Sequence, residues 1–191
     1  MKNLETYYLY CRESGGNILS SARLDASFRY KEWKPSLLRM KPREASRELY
    51  VWWIYYFNKI ISNQYAYSIY LVYHDYKLIH YTIISTKCFK FPFMGDEDIQ
   101  IGPSWTAEKY RGKGIASSII LSVLRQYSKG GRRFYWIARE KNNSSRKLIE
   151  RLAFQNLGAI ERRAILGLFH VYKLQEGGYY GGHSIGDESE V

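Results

Sequence analysis

Hydrophobic residues recur along the chain with two alternating spacings, one typical of helices and one typical of strands. From Ile115 onward, apolar residues at intervals of three and four positions predict an amphipathic helix: Ile119, Ile120, Val123, Leu124 and Tyr127. Helical spacing after Pro42 predicts a helix over residues 42–61, and the capping run at residues 142–145 predicts one over residues 142–154. The period over residues 17–40 is ill-defined, and it leaves open a short helix over residues 18–26. β-Prone runs predict strands over residues 6–11, 66–73, 78–85, 98–106, 133–138, 158–166 and 168–174.

One of these predicted strands is interrupted. Gly102 and Pro103 stand in the middle of the run at residues 98–106, and a proline has no N–H to donate to a neighbouring strand. We therefore expect a bulge there, or a strand that diverges from its neighbour. A diverging strand leaves backbone N–H and C=O groups available to a ligand.

The segment before the helix at Ile115 has the features of an anion-binding loop. Gly112 and Gly114 have no Cβ, so the backbone turns tightly and approaches a ligand closely. The start of the helix carries about half a positive elementary charge, and Arg111 and Lys113 add two full charges beside it. The segment is therefore expected to bind a phosphate or a pyrophosphate.

Several phosphate-binding patterns compete for this segment. A triphosphate loop requires Ser or Thr after the lysine, whereas Gly114 follows Lys113. The dinucleotide fingerprint requires a third glycine where Ser117 stands, and a simple basic helix cap also remains open. A third pattern, Arg or Gln, two residues, Gly, one residue, then Gly or Ala, fits Arg111, Gly114 and Ala116. It resembles the acyl-CoA signature of the GNAT superfamily of N-acyltransferases.

That resemblance implies a fold and a set of cofactor contacts. The implied fold is α+β, with a mixed, mostly antiparallel central sheet, flanked by helices, whose fourth strand is splayed from the fifth so that the CoA arm lies in the gap. A single domain is expected over residues 1–175, with a flexible tail at 176–191. Asn142, at the start of the later helix, also fits the family frame, but Ile149 stands where the family tyrosine protonates the leaving thiolate, so that role is unassigned. The residues expected to contact acetyl-CoA are Trp105, Thr106, Arg111, Gly112, Lys113, Gly114, Ile115, Ala116 and Asn142.

The composition limits the partners. Lys and Arg number 29 against 18 Asp and Glu, so the formal net charge of the 191 residues is +11 and an anionic partner is expected. The basic residues are scattered, which favours phosphorylated small molecules over nucleic acid. Cys11 and Cys88 fit no metal-ligand spacing, so no metal is expected. No apolar run is long enough to span a membrane, and we expect a cytoplasmic location.

Two residues are candidates for the base that receives the proton of an attacking amine. The position of the family's catalytic glutamate holds Gln100, so that role does not transfer directly. Asp98 is expected on the same strand face as Gln100, and the alternative interpretation is a solvated acidic turn. His80 has an ordinary pKa of about 6.5, which suits a base near neutrality, and the alternative is a structural histidine.

The resemblance predicts an N-acyltransferase that transfers the acyl group, most simply acetyl, from CoA directly to a primary amine. The acceptor is expected to be an anionic small molecule, and the hypothesis is a nucleotide-linked amino sugar. Residues 17–40 and the tyrosine-rich hairpin at residues 66–85 are expected to contact it. Two other functions remain open: a non-enzymatic basic protein that binds nucleic acid or a phosphorylated ligand, and a CoA-binding family member without turnover.

Overall fold

The computed structural model describes residues 5–15, 24–36, 38–39, 41–42, 44, 67–88, 90–165 and 169–174. Within these ranges the strands are β1 (Tyr7–Glu13), β2 (Arg29–Trp33), β3 (Tyr67–His74), β4 (Lys77–Ser85), β5 (Ile99–Thr106), β6 (Arg133–Arg139), β7 (Gln155–Ile165) and β8 (Phe169–Leu174). The helices are α1 (Ile115–Gln126) and α2 (Asn143–Arg151). The tail at 176–191, nearly all of the helix predicted over 42–61 and most of the one over 18–26 lie outside the described residues, so the predicted domain boundary stays a prediction.

All eight strands form one sheet, in the order β2-β3-β4-β5-β6-β1-β7-β8. β5 and β6 run parallel, and every other neighbouring pair is antiparallel. The mixed, mostly antiparallel sheet is thus confirmed. β1, the first strand of the described chain, lies between β6 and β7 and pairs with both. The N-terminal strand is therefore flanked by two strands from the C-terminal half of the sequence.

Local sequence rules account for most of the element boundaries. The β3–β4 hairpin turns at Asp75 and Tyr76, which both have positive φ, of 47° and 63°, as a two-residue turn requires. α2 begins where Asn142 caps it, because the Oδ1 of Asn142 accepts a hydrogen bond from the N–H of Ser145 at 3.1 Å. β2 was not predicted. It is an edge strand whose first three residues are exposed, so it has no apolar alternation to detect.

Two layers of apolar side chains cover the two faces of the sheet. On one face, α1 packs Ile115, Ile119 and Ile120 against Ile79 and other strand residues, and α2 adds Ile149 and Leu152. The other face is built around Leu9, Ile69, Ile83, Phe91 and Tyr135. Because α1 is buried along one side, its first turn is held at the edge of the sheet next to the end of β5. No helix among the described residues is long and apolar enough to cross a membrane.

Candidate functional site

The site begins where β5 leaves β6. The two strands pair only through three residues of β5, Ile99, Gln100 and Ile101. After Gly102, which has φ of 105°, β5 continues to pair with β4 alone, as far as His80 opposite Thr106, with an irregular register between Thr82 and Ile84. The outer edge of β5 beyond Ile101 therefore faces a gap. This confirms the irregularity predicted from Gly102 and Pro103, in a strand that is fifth along the described chain and fourth across the sheet.

The loop that the sequence predicts to bind an anion follows a few residues after the free end of β5, and residues 110–116 are called the cradle here. Gly112 and Gly114 have φ of 78° and 75°, in the left-handed region that favours glycine. The first helical bond of α1 runs from the N–H of Ser118 to the carbonyl of Gly114. The N–H groups of Ile115, Ala116 and Ser117 therefore point out of the helix start. No acidic side chain stands in this first turn, so the position favours an anion.

The side chains around the cradle are cationic or aromatic. The Nε of Arg111 donates to the carbonyl oxygen of Thr106 at 3.2 Å, which places the guanidinium at the end of β5. The Nζ atoms of Lys109 and Lys113 each lie 5.1 Å from the centre of the Tyr110 ring. Trp105, which is 40% exposed, stacks on Tyr81 with ring centroids 5.7 Å apart. Cation and ring faces thus surround the loop.

A cavity of about 540 Å³ adjoins the cradle. The ring of Phe28 lies 5.4 Å from that of His74 and 6.2 Å from that of Tyr110, and the hydroxyl of Tyr110 lies 3.1 Å from Nδ1 of His74. Its lining is aromatic and basic with one carboxylate: Asp25, Ser27, Phe28, His74, Lys109, Tyr110 and Lys113.

A second cavity, of about 370 Å³, lies in the gap between β5 and β6 and is called the gap cavity here. Gln100 is 3% exposed; its Nε2 donates to the carbonyl of Ile101 at 3.0 Å, whereas its Oε1 has no hydrogen-bond partner. Ser104 and Asn142 also line this cavity. The residues that contribute aromatic or basic side chains are Tyr7, Lys90, Phe91, Trp136, Arg139, Arg162 and Tyr172.

His80 is buried at the centre of a hydroxyl network on β4 and β5. Its Nδ1 lies 2.8 Å from Oγ1 of Thr106, and its Nε2 lies 2.9 Å from Oγ1 of Thr82. The Oγ1 of Thr82 lies 2.9 Å from Oγ of Ser104, which reaches the gap cavity. Burial lowers the pKa of His80 to about 4. The ordinary pKa of about 6.5, for which His80 was considered as a base, therefore does not hold in the folded protein, and the imidazole is neutral at neutral pH.

Asp98 has a structural position at the start of β5, and its role as a base stays a prediction. Its two carboxylate oxygens accept hydrogen bonds from the backbone N–H groups of Gly95, at 2.7 Å, and Arg133, at 3.0 Å. It precedes the first residue of β5 and does not line the gap cavity. Gly102 is four positions further along the chain, which corresponds to about 13 Å along an extended strand. Asp98 fixes the start of β5 against β6.

Two further positions singled out in the sequence lie at the start of α2 and within it. Asn142 caps α2 at the edge of the gap cavity. Ile149 is fully buried in the core, and its side chain has no hydroxyl that could take the role of the family tyrosine. Sequence reasoning missed the cationic and aromatic lining of the gap cavity. Its members come from separate strands and one loop, and no local pattern connects them: Tyr7, Lys90, Arg139, Arg162 and Tyr172.

Comparisons with known structures identify the same architecture. A tandem GNAT protein from the clavulanic acid biosynthesis pathway superposes with a TM-score of 0.57 at 16% identity, over 81% of this chain and 51% of that one. A conserved protein of unknown function from Staphylococcus epidermidis gives 0.54 at 14% identity, over 82% and 59%. A GNAT-family acetyltransferase structure from Novosphingobium aromaticivorans gives 0.50 at 16% identity, over 83% and 62%. At such identities the likeness concerns the fold, and the chain spans about half the length of the first of these structures.

No curated protein sequence matches this chain significantly. The sequence model of the acetyltransferase (GNAT) family matches residues 27–154, a range that contains β2 to β6, the cradle, α1 and α2. The chain therefore belongs to the GNAT acetyltransferase family.

Proposed function

We propose that the protein is an acyl-CoA-dependent N-acyltransferase that uses acetyl-CoA and transfers the acetyl group directly to a primary amine. One observation carries the proposal: the unpaired edge of β5 runs straight into the cradle. A ligand with a polar arm and a pyrophosphate would find backbone partners along the strand and outward-pointing N–H groups at the helix start. Membership of the GNAT family supports the same activity.

The described residues fit acetyl-CoA. A Cβ added at Gly112 would meet no atom within 4 Å, so the loop is open on the side from which a phosphate would approach. The pyrophosphate would bind Arg111, Gly112, Lys113, Gly114, Ile115 and Ala116. The backbone of Trp105 and Thr106 would pair with the pantetheine amides, although the carbonyl of Thr106 already accepts from Arg111. Asn142 would contact the arm from the other side of the gap.

The cavity beside the cradle suits the nucleotide end of the same donor. Phe28 and His74 offer ring faces to a base, and Lys109 and Lys113 offer charge to a phosphate. When bound, acetyl-CoA supplies an activated thioester, whose carbonyl carbon forms a bond with the amine nitrogen as its bond to sulfur breaks. The protein contributes mainly position, because holding both reactants in one gap replaces a bimolecular encounter.

The hydroxyl network provides a route for the proton that the amine loses. In this proposal Ser104 Oγ takes that proton while giving its own to Thr82, which passes one to Nε2 of His80. Nδ1 of His80 then gives its proton to Thr106, whose hydroxyl passes its own proton to solvent at the end of β5, and the departing CoA thiolate takes up a proton from solvent. A neutral imidazole suits such a relay, because one nitrogen accepts while the other donates. The acceptor predicted from the sequence, a nucleotide-linked amino sugar, remains a prediction, since neither the family nor the fold specifies an acceptor.

The proposal is tested by reversing the two cradle charges together, in Arg111→Glu with Lys113→Glu. Acetyl-CoA should raise the melting temperature of the unaltered protein and should fail to do so in this variant, because the pyrophosphate loses both cations. Release of free CoA with a panel of amines should fall in parallel.

A matched control reverses two exposed charges elsewhere, in Lys77→Glu with Lys147→Glu. This variant has the same net charge as the first and should keep the full melting shift, which separates local binding from loss of overall charge. An undiminished shift in a folded cradle variant would contradict the proposal. Acetyl-CoA binding without CoA release with any amine would instead indicate a CoA-binding member without turnover.

A further inference from the structure

The gap cavity is lined by a hydrogen-bond donor that belongs neither to the cradle nor to the hydroxyl network, the indole N–H of Trp136. We propose that this N–H donates a hydrogen bond to the CoA sulfur as the sulfur becomes a thiolate, which makes Trp136 a catalytic residue of the transfer. The inference rests on the proposed function, since it assigns a group that acts on the leaving atom of the same reaction.

Trp136 lies at the closed end of the gap. It pairs with Ile101, the last residue of β5 that pairs with β6. From Gly102 to Thr106 β5 pairs with β4 alone, and the cradle follows a few residues later. The arm of an acyl-CoA whose pyrophosphate binds the cradle would extend along this free edge towards Ile101, where the pairing of the two strands closes the gap. The thioester, at the far end of that arm, therefore reaches the gap beside Trp136.

The N–H edge of the Trp136 indole is next to Gly102. A Cβ built on Gly102 would lie 3.6 Å from Nε1 of Trp136 and 3.8 Å from its Cδ1. The Phe154 ring fixes the orientation of the indole through an edge contact, with ring centroids 5.9 Å apart and an interplanar angle of 83°. Because Gly102 has no side chain, residue 102 leaves this edge of the indole uncovered.

The indole N–H has no acceptor among the described residues. Trp136 is buried, but its Nε1 is not one of the fully enclosed polar atoms that lack a partner, so it is open to the cavity that the residue lines. A buried tryptophan N–H usually has a hydrogen-bond partner. The acceptor must therefore come from what occupies the gap.

The sulfur is the atom of the thioester that carries a full negative charge when the reaction ends. As the amine nitrogen bonds to the carbonyl carbon, the carbon–sulfur bond breaks and both of its electrons stay on sulfur. Ile149, at the position of the family tyrosine, is buried in the same apolar layer as Trp136 and has no proton to give. An indole N–H donates a hydrogen bond without transferring its proton. Trp136 therefore stabilises the thiolate until solvent protonates it, as a fixed donor aimed at developing charge does.

Trp136→Phe removes the N–H and keeps an aromatic ring in place. We expect kcat to fall about tenfold to a hundredfold, the loss typical of a hydrogen bond to a charged group, with little change in KM for acetyl-CoA. Benzothienylalanine at the same position has sulfur in place of the N–H and keeps the shape of the indole, so it should give the same fall. Full activity with benzothienylalanine would show that only the shape of the ring matters, and it would overturn the inference.

Binding of CoA gives a readout that does not depend on turnover. A thiol with an ordinary pKa of about 8.5 is mostly neutral at pH 7 and mostly thiolate at pH 9.5. In calorimetry the unaltered protein and Trp136→Phe should bind CoA equally at pH 7, whereas at pH 9.5 Trp136→Phe should bind it about tenfold more weakly. Desulfo-CoA, which lacks the sulfur, should bind both proteins equally at both pH values. The benzothienylalanine variant gives the same comparison should Trp136→Phe fail to fold.

Tyr135→Phe is the matched control. Tyr135 precedes Trp136 on β6, is buried on the opposite face of the sheet and does not line the gap cavity. Its substitution also removes one polar hydrogen from a buried ring, and it should change neither kcat nor the pH dependence of CoA binding. The ionisable side chains at the cavity are the same in all of these variants: Tyr7, Lys90, Arg139, Arg162, Tyr172 and, through Thr82 and Ser104, His80.

The binding results separate this inference from the proposed function. Equal CoA affinities of Trp136→Phe and the unaltered protein at pH 9.5 would overturn the inference and leave the proposed function intact. The same weakening with CoA and with desulfo-CoA would also overturn it, because the N–H would then contact another part of the arm. If the unaltered protein neither binds CoA nor releases it from acetyl-CoA with any amine, both proposals fail.

Discussion

The cradle and the gap cavity both carry positively charged groups, but they hold them differently. In the cradle the central donors are backbone N–H groups at the start of α1, and their direction depends on two glycines with positive φ. In the gap cavity the donors are side chains packed on the Tyr7 and Tyr172 rings. A substitution by any residue except proline cannot remove a backbone donor, but it can move one. The cradle should therefore be most sensitive to changes in backbone conformation, and the cavity to truncation of side chains.

Gly114→Val gives the strongest test of the expectation that the cradle depends on backbone conformation. Gly114 has φ of 75°, a conformation that costs an ordinary L-residue about 1–2 kcal/mol and that a β-branched residue tolerates least. The loop must therefore shift, and the N–H groups of the first turn shift with it. We expect acetyl-CoA affinity to fall on the order of a thousandfold, or about 4 kcal/mol, as measured by calorimetry.

Gly131→Val provides the control for strain. Gly131 has nearly the same φ, 76°, and a Cβ added there would meet no atom within 4 Å. It lies in the turn between α1 and β6, outside the cradle. The two variants should lose similar stability, but only Gly114→Val should lose acetyl-CoA binding. Equal losses of binding would mean that strain anywhere in the fold is sufficient, and the cradle would have no special role.

The same distinction explains what the sequence could predict. The cradle is a contiguous segment, and its glycines, charges and following helix obey local rules that apply before the chain folds. The irregularity in β5 was predictable for the same reason, because Pro103 lacks an N–H in any context. Together with the hairpin turn and the Asn142 cap, these two features make up most of the part of the site that is proposed to bind acetyl-CoA.

The gap cavity could not be predicted in this way. Tyr7 and Arg162 meet only because β1 inserts between β6 and β7, and no local pattern specifies that insertion. Asp98 illustrates a related difficulty. Its value as a base depended on whether it lay in the strand or before it, and its two backbone hydrogen bonds place it before the strand. The pKa of His80 depends on burial that only the folded sheet creates.

His80 lies between the two regions, since its network runs from Ser104 at the gap cavity to Thr106 beside the cradle. His80→Gln should lower kcat about a hundredfold, because an amide forms hydrogen bonds but does not relay protons; this is the lower end of the range for general acid-base catalysis. KM for both substrates should change little. Steady-state kinetics at neutral pH measures kcat and both KM values. Asp98→Asn is the contrasting variant, which should lower the melting temperature of the protein and leave kcat unchanged. Unchanged kcat in His80→Gln would exclude the relay.

The burial of His80 also affects the stability of the protein, and this effect can be measured without turnover. The pKa of His80 is about 4 in the folded protein against an ordinary 6.5, so the unfolded chain binds more protons between these values. Above about pH 6.5, His80 therefore does not lower the free energy of unfolding. As the pH falls from 6.5 to 4, protonation of His80 in the unfolded chain lowers the free energy of unfolding by up to roughly 3 kcal/mol. Denaturant unfolding at pH 7 and pH 4.5 should show this loss in the unaltered protein and a smaller loss in His80→Gln.

The smallest expected effect concerns the two cysteines, and it tests whether the acetyl group passes between the two regions without a protein intermediate. Cys11 and Cys88 are both buried, and burial raises the pKa of Cys11 to about 12 and also raises that of Cys88. Both thiols therefore stay protonated at neutral pH, whereas the thiolate is the form that attacks a thioester. Neither cysteine lines the cradle or the gap cavity.

Cys11→Ala and Cys88→Ala should each keep kcat within about twofold, as expected for residues outside the reaction path. Initial-rate patterns should show both substrates bound before CoA leaves. An acetylated cysteine that forms and decays at the rate of turnover would instead place a covalent step between the cradle and the gap cavity.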